Sequence, residues 1–113
     1  MSPDSFLPLS VAAFHILIAL AGQDRHGYAI MQEVAARTSG EVRLNAGTLY
    51  TTIKRLVEED LIVEVRPPEG ADSSDERRRY YRLTSLGRQV AKAELARLQS
   101  IVRVAAATLR AKS

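Results

Sequence analysis

The chain has 113 residues, 46% of them hydrophobic, no cysteine and a formal net charge of +3. That suits one compact domain and excludes a disulfide scaffold, a thiolate metal site and a cysteine nucleophile. Residues 1–64 carry 5 basic and 8 acidic side chains and residues 65–113 carry 11 basic and 5 acidic ones, an asymmetry that points to a polyanion partner, although a solvated surface gives similar totals.

Residues 8–21 read as a helix. Pro8 fits a first turn, and Leu9, Ala13, Ile16, Leu17 and Leu20 recur at helical spacing. Phe14 and Ile18 make the opposite side apolar as well, so this helix needs cover on two sides. Gly22 stops it. The run at 11–21 is interrupted by His15 and falls short of the roughly 20 apolar residues of a bilayer span. No basic segment precedes it, so the expected location is cytoplasmic, with no membrane partner.

A second helix is expected over 27–39, with Tyr28, Met31, Val34, Ala35 and Thr38 on one stripe. Asp24 and His26 are both available as its cap, and Gly40 stands where a helix end wants positive φ. A third helix follows the N-cap residue Asn45 and runs to Glu59. Its buried stripe is Leu49, Ile53, Leu56 and Val57; Thr48, Thr51 and Arg55 lie opposite, with Tyr50 and Lys54 to one side. Residues 61–66 are β-branched and partly alternating, hence a short strand. Residues 67–76 form a loop, and 78–83 a second strand with Arg79, Tyr81 and Leu83 on one face. The two strands make a hairpin.

Thr84 or Ser85 caps a last helix that runs nearly to the end. Ala91, Leu95, Leu98, Val102, Ala105 and Leu109 are spaced 4, 3, 4, 3, 4, the heptad seam of a coiled-coil-like contact, and Ile101 widens it. Three preceding helices cannot bury so long a seam. A second copy of the chain is the expected cover, with Phe14 and Ile18 joining the interface; packing along the first helix is the alternative, and the two are compatible.

Three helices followed by a hairpin is the winged helix-turn-helix order. The expected fold is mainly α (α+β): a DNA-binding domain over 1–84 with a two-stranded wing and the N-terminal helix at 8–21, then a dimerisation helix over 85–113. In such a motif the third helix enters the major groove. Arg43, Lys54 and Arg55 are separated by no acid. The helix start at Asn45, Ala46, Gly47 and Thr48 leaves backbone N–H groups for a phosphate oxygen. Arg77, Arg78, Arg79 and Arg82 in the wing suit the minor groove or flanking phosphates; local pairing with Asp72, Asp75 and Glu76 is the alternative. His15 and His26 are the only histidines, and no HxxxH or HExxH spacing, P-loop, nucleophile elbow or dinucleotide fingerprint occurs. No enzyme activity, metal or cofactor is expected.

The residues Ile16-Leu17-Ile18-Ala19-Leu20, His26-Gly27-Tyr28-Ala29-Ile30, Gly47-Thr48-Leu49-Tyr50, Lys54-Arg55-Leu56, Leu61-Ile62, Arg78 to Thr84 and Leu86-Gly87 resemble the PadR family of bacterial transcriptional regulators, in order over about 9–100. The single C-terminal helix is similar to that of its smaller subfamily. The resemblance implies a homodimer that binds double-stranded operator DNA and usually represses transcription, released by a small-molecule or stress signal. It implies DNA contacts from Thr48 and Tyr50, Lys54 beside phosphates, and Tyr28 reaching phosphate. Thr51 stands at a variable position. Small regulators of this kind place an apolar effector between the terminal helices, where Phe6, Phe14, Ile18 and Leu98 are candidate lining, with plain packing as their commoner role. Two departures stand out: Ala46 where the family often has proline, and Asp60 where glycine is common, which requires a left-handed aspartate. A winged-helix adaptor that binds a protein instead of DNA is the alternative reading.

Overall fold

The computed structural model describes residues 2–70 and 78–112. After a 3-10 turn at Pro3–Phe6 come α1 (Val11–Gly22), β1 (Arg25–His26), α2 (Gly27–Arg37), α3 (Ala46–Glu58), β2 (Ile62–Val65), β3 (Tyr80–Leu83) and α4 (Ser85–Lys112). The strands form one antiparallel sheet in the order β1-β3-β2. This is the winged helix-turn-helix order, with one strand more than the hairpin expected. Two residues are too few to show a period of two, which is why β1 is silent in the sequence. Its pairing, Arg25 with Tyr81 and His26 with Tyr80, puts β3 in the middle. Tyr80 and Tyr81 are therefore both buried, whereas simple alternation expects one of them outward. β3 begins at Tyr80, so Arg78 and Arg79 precede it.

α1 begins at Val11, not at Pro8. Ser10 is the cap, its hydroxyl accepting the Ala13 N–H at 3.1 Å. The Leu9 N–H is already committed to the Glu94 carboxylate of α4 at 3.0 Å. A tertiary hydrogen bond thus holds the residues that sequence periodicity assigns to a first turn. α1 is the centre of the molecule and packs on α2, α3, α4 and β3. Ile16 and Leu17 are fully buried on it, against Ile30 and Val34 of α2, Leu49, Ile53 and Leu56 of α3, and Leu61, Ile62 and Val90.

α2 ends at Arg37, and Ser39 (φ 53°) and Gly40 (φ 80°) turn the chain, with the Gly40 N–H reaching the Ala35 carbonyl at 2.7 Å. The end of α3 uses the same device. Asp60 is left-handed at φ 61°, as its place in the turn requires, and the Leu61 N–H returns to the Leu56 carbonyl at 2.9 Å.

Thr84 fastens α4 to that turn. Its hydroxyl donates to the Asp60 carbonyl at 2.7 Å and accepts from the Gly87 N–H at 2.9 Å, and its own N–H reaches the Leu61 carbonyl at 3.1 Å. Gly87 packs so closely that a Cβ there would lie 2.0 Å from the Leu61 carbonyl oxygen and 2.8 Å from Leu83 Cδ1. Further along α4, Glu94 is buried and receives Arg97 Nε and Nη2 besides the Leu9 N–H. The Arg97 hydrogen bonds hold its carboxyl below the usual range, against burial, which acts the other way.

The inner half of α4 packs on α1 and the N-terminal turn, so part of the heptad seam has an intramolecular partner. The outer half is exposed, with Val102 66%, Val104 63% and Leu109 67% accessible.

Candidate nucleic-acid interface

The α2–turn–α3 unit is presented by caps that the sequence spells out. Asn45 Oδ1 accepts the Thr48 N–H at 2.8 Å. That N–H is thus committed to the cap, and of the helix start expected to face phosphate, the N–H groups of Ala46 and Gly47 lie outside the ladder. With Leu49, Ile53 and Leu56 buried, helical geometry turns Asn45, Gly47, Thr48, Tyr50, Thr51, Lys54 and Arg55 to the exposed side. Arg55 shares its charge with Glu59, Nε to Oε1 3.5 Å. Arg43 is exposed beside the α2–α3 turn, where a Cβ on residue 40 would lie 3.0 Å from its Nη2.

A cleft of about 560 Å³ opens between the start of α2, α3 and the wing, lined by His26, Gly27, Tyr28, Tyr50, Arg78, Arg79 and Tyr81. Its shape has a local cause. His26 caps α2, Nδ1 accepting the Ala29 N–H at 3.1 Å; Asp24, the other cap candidate, instead takes a two-point ion pair from Arg82 at 2.8 and 3.1 Å. Gly27 then makes room for Tyr50, since a Cβ at 27 would lie 2.7 Å from its Oη and 2.9 Å from Cε1. Tyr28 is half exposed, and the Arg78 guanidinium carbon sits 5.7 Å from its ring centroid, within cation–π reach. The three residues of the His-Gly-Tyr motif thus serve as cap, gap and platform.

The wing arginines diverge. Arg78 joins His26, with Nη1 3.1 Å from Nε2. Arg79 approaches Glu64 at 4.0 Å, an acid of β2 rather than of the loop. Arg82 is held by Asp24 away from the cleft. Arg77, and the loop acids Asp72, Asp75 and Glu76, lie outside the described residues. Burial, then the Glu64 carboxylate, pushes the Tyr81 phenol up, so it stays neutral. In the sequence His26 reads only as a possible cap, and Gly27, Glu64 and Tyr81 carry no site signal of their own; adjacency to Tyr28 is the available signal for His26 and Gly27.

The expected interface residues of α1 and α4 fall in two places. Phe14, Ile18, Ala91 and Leu95 border an apolar hollow of about 210 Å³ with Leu83. Ala105 and Leu109 border a second, with Ile101 and Val104, on the outer half of α4. Leu98 is half-buried and Val102 exposed. Phe6 is not with Phe14 and Ile18. It lines a separate groove of about 440 Å³, where Pro8, Leu9 and Ser10 face Thr51, Thr52 and Arg55 of α3, while the Leu9 N–H is tied to Glu94 of α4. Among the described residues no helix is long and apolar enough to cross a membrane.

The family model described as "Transcriptional regulator PadR-like family" matches residues 16–93. An uncharacterized protein of Lysinibacillus sphaericus, "protein X", is 37% identical over 73 residues, 65% of this chain. That match spans 64% of the relative, less than two thirds of its length. Among solved structures, a PadR family transcription regulator from Clostridium difficile superposes with TM-score 0.74 at 28% identity, covering 88% of this chain and 99% of that one. A transcriptional regulator from Clostridium thermocellum gives 0.70 at 26% identity, with 82% and 84% covered.

Proposed function

The chain belongs to the PadR-like family of transcriptional regulators, and from that premise we propose that it is a homodimeric, sequence-specific DNA-binding repressor. The observation that carries the reading is the exposed side of α3. Thr48, Tyr50, Thr51 and Lys54 stand clear of the core on a helix of a width that suits a major groove, and the Tyr28–Arg78 pair lies beside it on the cleft that Tyr50 also lines. Thr48, Thr51, Lys54 and Arg55 face base edges and the adjoining backbone; Arg43, Asn45, Gly47, Tyr28, Tyr50, Arg78 and Arg79 face the backbone.

Dimerisation supplies the second half-site. The exposed apolar residues of α4, from Leu95 to Leu109, pair with those of a second copy, and Phe14, Ile18 and Ala91 extend the contact. Two recognition helices then meet one face of the duplex roughly 34 Å apart. A small apolar effector, seated where Phe14, Ile18 and Leu95 surround a hollow, changes that spacing and releases the DNA.

The test is selection of bound duplexes from a random pool, then anisotropy titration of the selected duplex at several salt concentrations, with sedimentation of the same protein. The reading requires a dimer and an affinity that falls steeply with salt. A protein that retains no duplex at low salt is not a DNA-binding regulator, and the adaptor reading takes its place.

A further inference from the structure

The cationic excess of the chain lies in α4. Residues 85–112 carry 6 basic side chains and 1 acidic one, against 5 and 4 in residues 65–84 and 10 and 12 over the whole of residues 1–84. The unit that presents the recognition helix is therefore slightly acidic, and the excess sits on a helix that the DNA reading uses only for dimerisation. The one acid of α4, Glu94, is buried and taken by Arg97, so it neutralises nothing on the surface. Four of the other cations are aligned. At about 100° per residue, Arg88, Lys92, Arg103 and Arg110 fall within about 60° of one another, on a line that also holds Gln99 and Ala106. All four are exposed. Leu86, Val90 and Glu94 face the core, and the cationic line runs along the opposite side of α4, one position beyond the apolar seam at Ala91, Leu98, Val102, Ala105 and Leu109. Among the described residues Arg88, Lys92 and Arg103 enter no ion pair; Arg88 Nη2 lies near a carbonyl, that of Ala21, at 3.4 Å.

We propose that this stripe is a second, sequence-independent duplex-binding surface, which holds a further segment of DNA while the two α3 helices hold the operator. Its composition suits phosphates. Backbone contact needs cations and no base-reading group, and a row of like charges without counter-charge is what counterion release rewards. A protein partner would be anchored by aromatic side chains in fitted pockets, and the line offers Gln99 and Ala106 between its cations. Its length fits as well. Arg88 to Arg110 spans about 33 Å of helix at about 1.5 Å per residue, close to the roughly 34 Å of one duplex turn. Its direction separates it from the operator contact: the stripe looks away from α1 and from the body that carries α3, so the duplex on α3 and the duplex on α4 are different segments. The surface itself is independent of the α3 reading; the simultaneous hold rests on it.

The test is capture of a second duplex. The dimer is saturated with the immobilised duplex that α3 selects and is then offered a labelled duplex of random sequence. The natural chain is expected to capture it at low salt. The triple variant Arg88→Gln, Lys92→Gln, Arg103→Gln should capture it at least about tenfold more weakly, with the slope of log affinity against log salt smaller by about 0.9 for each phosphate lost. Its affinity for the selected duplex, cut to the two half-sites, and its sedimentation as a dimer should stay unchanged, because these exposed side chains support neither α3 nor the seam. Equal capture by both proteins overturns the proposal. So does a triple variant that sediments as a monomer, which would put the stripe in the contact between copies. Polyglutamate offered in place of the second duplex separates the partner classes: capture of polyglutamate and not of duplex assigns the stripe to an acidic protein and overturns the nucleic-acid assignment. A chain whose α3 selects no duplex removes the operator reading alone. Binding of the random duplex that survives in Lys54→Ala and is lost in the triple variant then still supports the stripe, and its survival in the triple variant overturns it.

Discussion

Gly87→Ala sets two effects of opposite sign against each other. On helix propensity alone the substitution gains up to about 1 kcal/mol, since glycine is the poorer helix former. The structure reverses this. The new methyl would stand 2.0 Å from the Leu61 carbonyl oxygen and 2.8 Å from Leu83 Cδ1, and a backbone oxygen has no rotamer by which to retreat. α4 must shift by more than an ångström. Overpacking of this kind costs about 1–3 kcal/mol. The shift also strains the Thr84 bonds to the Asp60 and Leu61 carbonyls, each worth about 1 kcal/mol. The expected net loss is about 2–3 kcal/mol, a large fraction of the roughly 5–15 kcal/mol that holds an ordinary domain together. Urea denaturation followed by circular dichroism reads it as a lower midpoint with unchanged slope. Gly22→Ala is the control: a Cβ there meets only Arg25 Nη2, at 3.9 Å, so the propensity effect stands alone and stability holds or rises. A Gly87→Ala protein as stable as the natural chain refutes the steric argument.

Glu94→Gln is expected to lower stability at neutral pH and to flatten its acid dependence. The carboxyl is held below its unfolded value in the folded chain, chiefly by Arg97, so its stabilisation is full above the unfolded carboxylate range and is lost as pH falls through the folded value. Denaturation midpoints across acid pH check this, and parallel curves for both proteins contradict it. Lys54→Ala should reduce the slope of log affinity against log salt by about 0.9 per protomer, the signature of one lost phosphate; an unchanged slope takes Lys54 off the backbone. Gly27→Ala should leave the denaturation midpoint nearly unchanged, since the half-exposed Tyr50 ring can yield, while duplex affinity drops about tenfold by displacement of that ring; equal affinity would show that the close approach at Gly27 is incidental. Val102→Asp places a charge in the exposed α4 stripe and should shift the protein to monomer in sedimentation without unfolding it, whereas an unaltered dimer would put the interface elsewhere.

Much of the fold is legible along the chain because caps, stops and stripes act over a few residues. Asn45 announces α3, Gly40 announces a left-handed turn, and the buried stripe of α3 follows from spacing; the left-handed Asp60 follows from the family resemblance and not from its own residue type. The failures have a different origin. Pro8 and Leu9 look like a first helical turn, but Glu94, 85 residues away, takes the Leu9 N–H. Phe6 looks like a companion of Phe14, and with Leu9 tethered it lines a different groove, against Thr51 and Thr52 of α3. Arg82 looks like a wing cation for DNA, and Asp24, 58 residues earlier, holds it elsewhere.

For the candidate site the division is similar. Helical periodicity alone places Thr48, Thr51, Lys54 and Arg55 outward, because burying Leu49, Ile53 and Leu56 leaves no other choice. The cleft beside them is a product of folding. His26 and Arg78 are 52 residues apart and meet because β1 pairs with β3, a two-residue contact without a periodic trace. Which side chains His26 meets, and why residue 27 has no side chain, are matters of distances across that pairing, and a linear pattern of residue types contains no such distances.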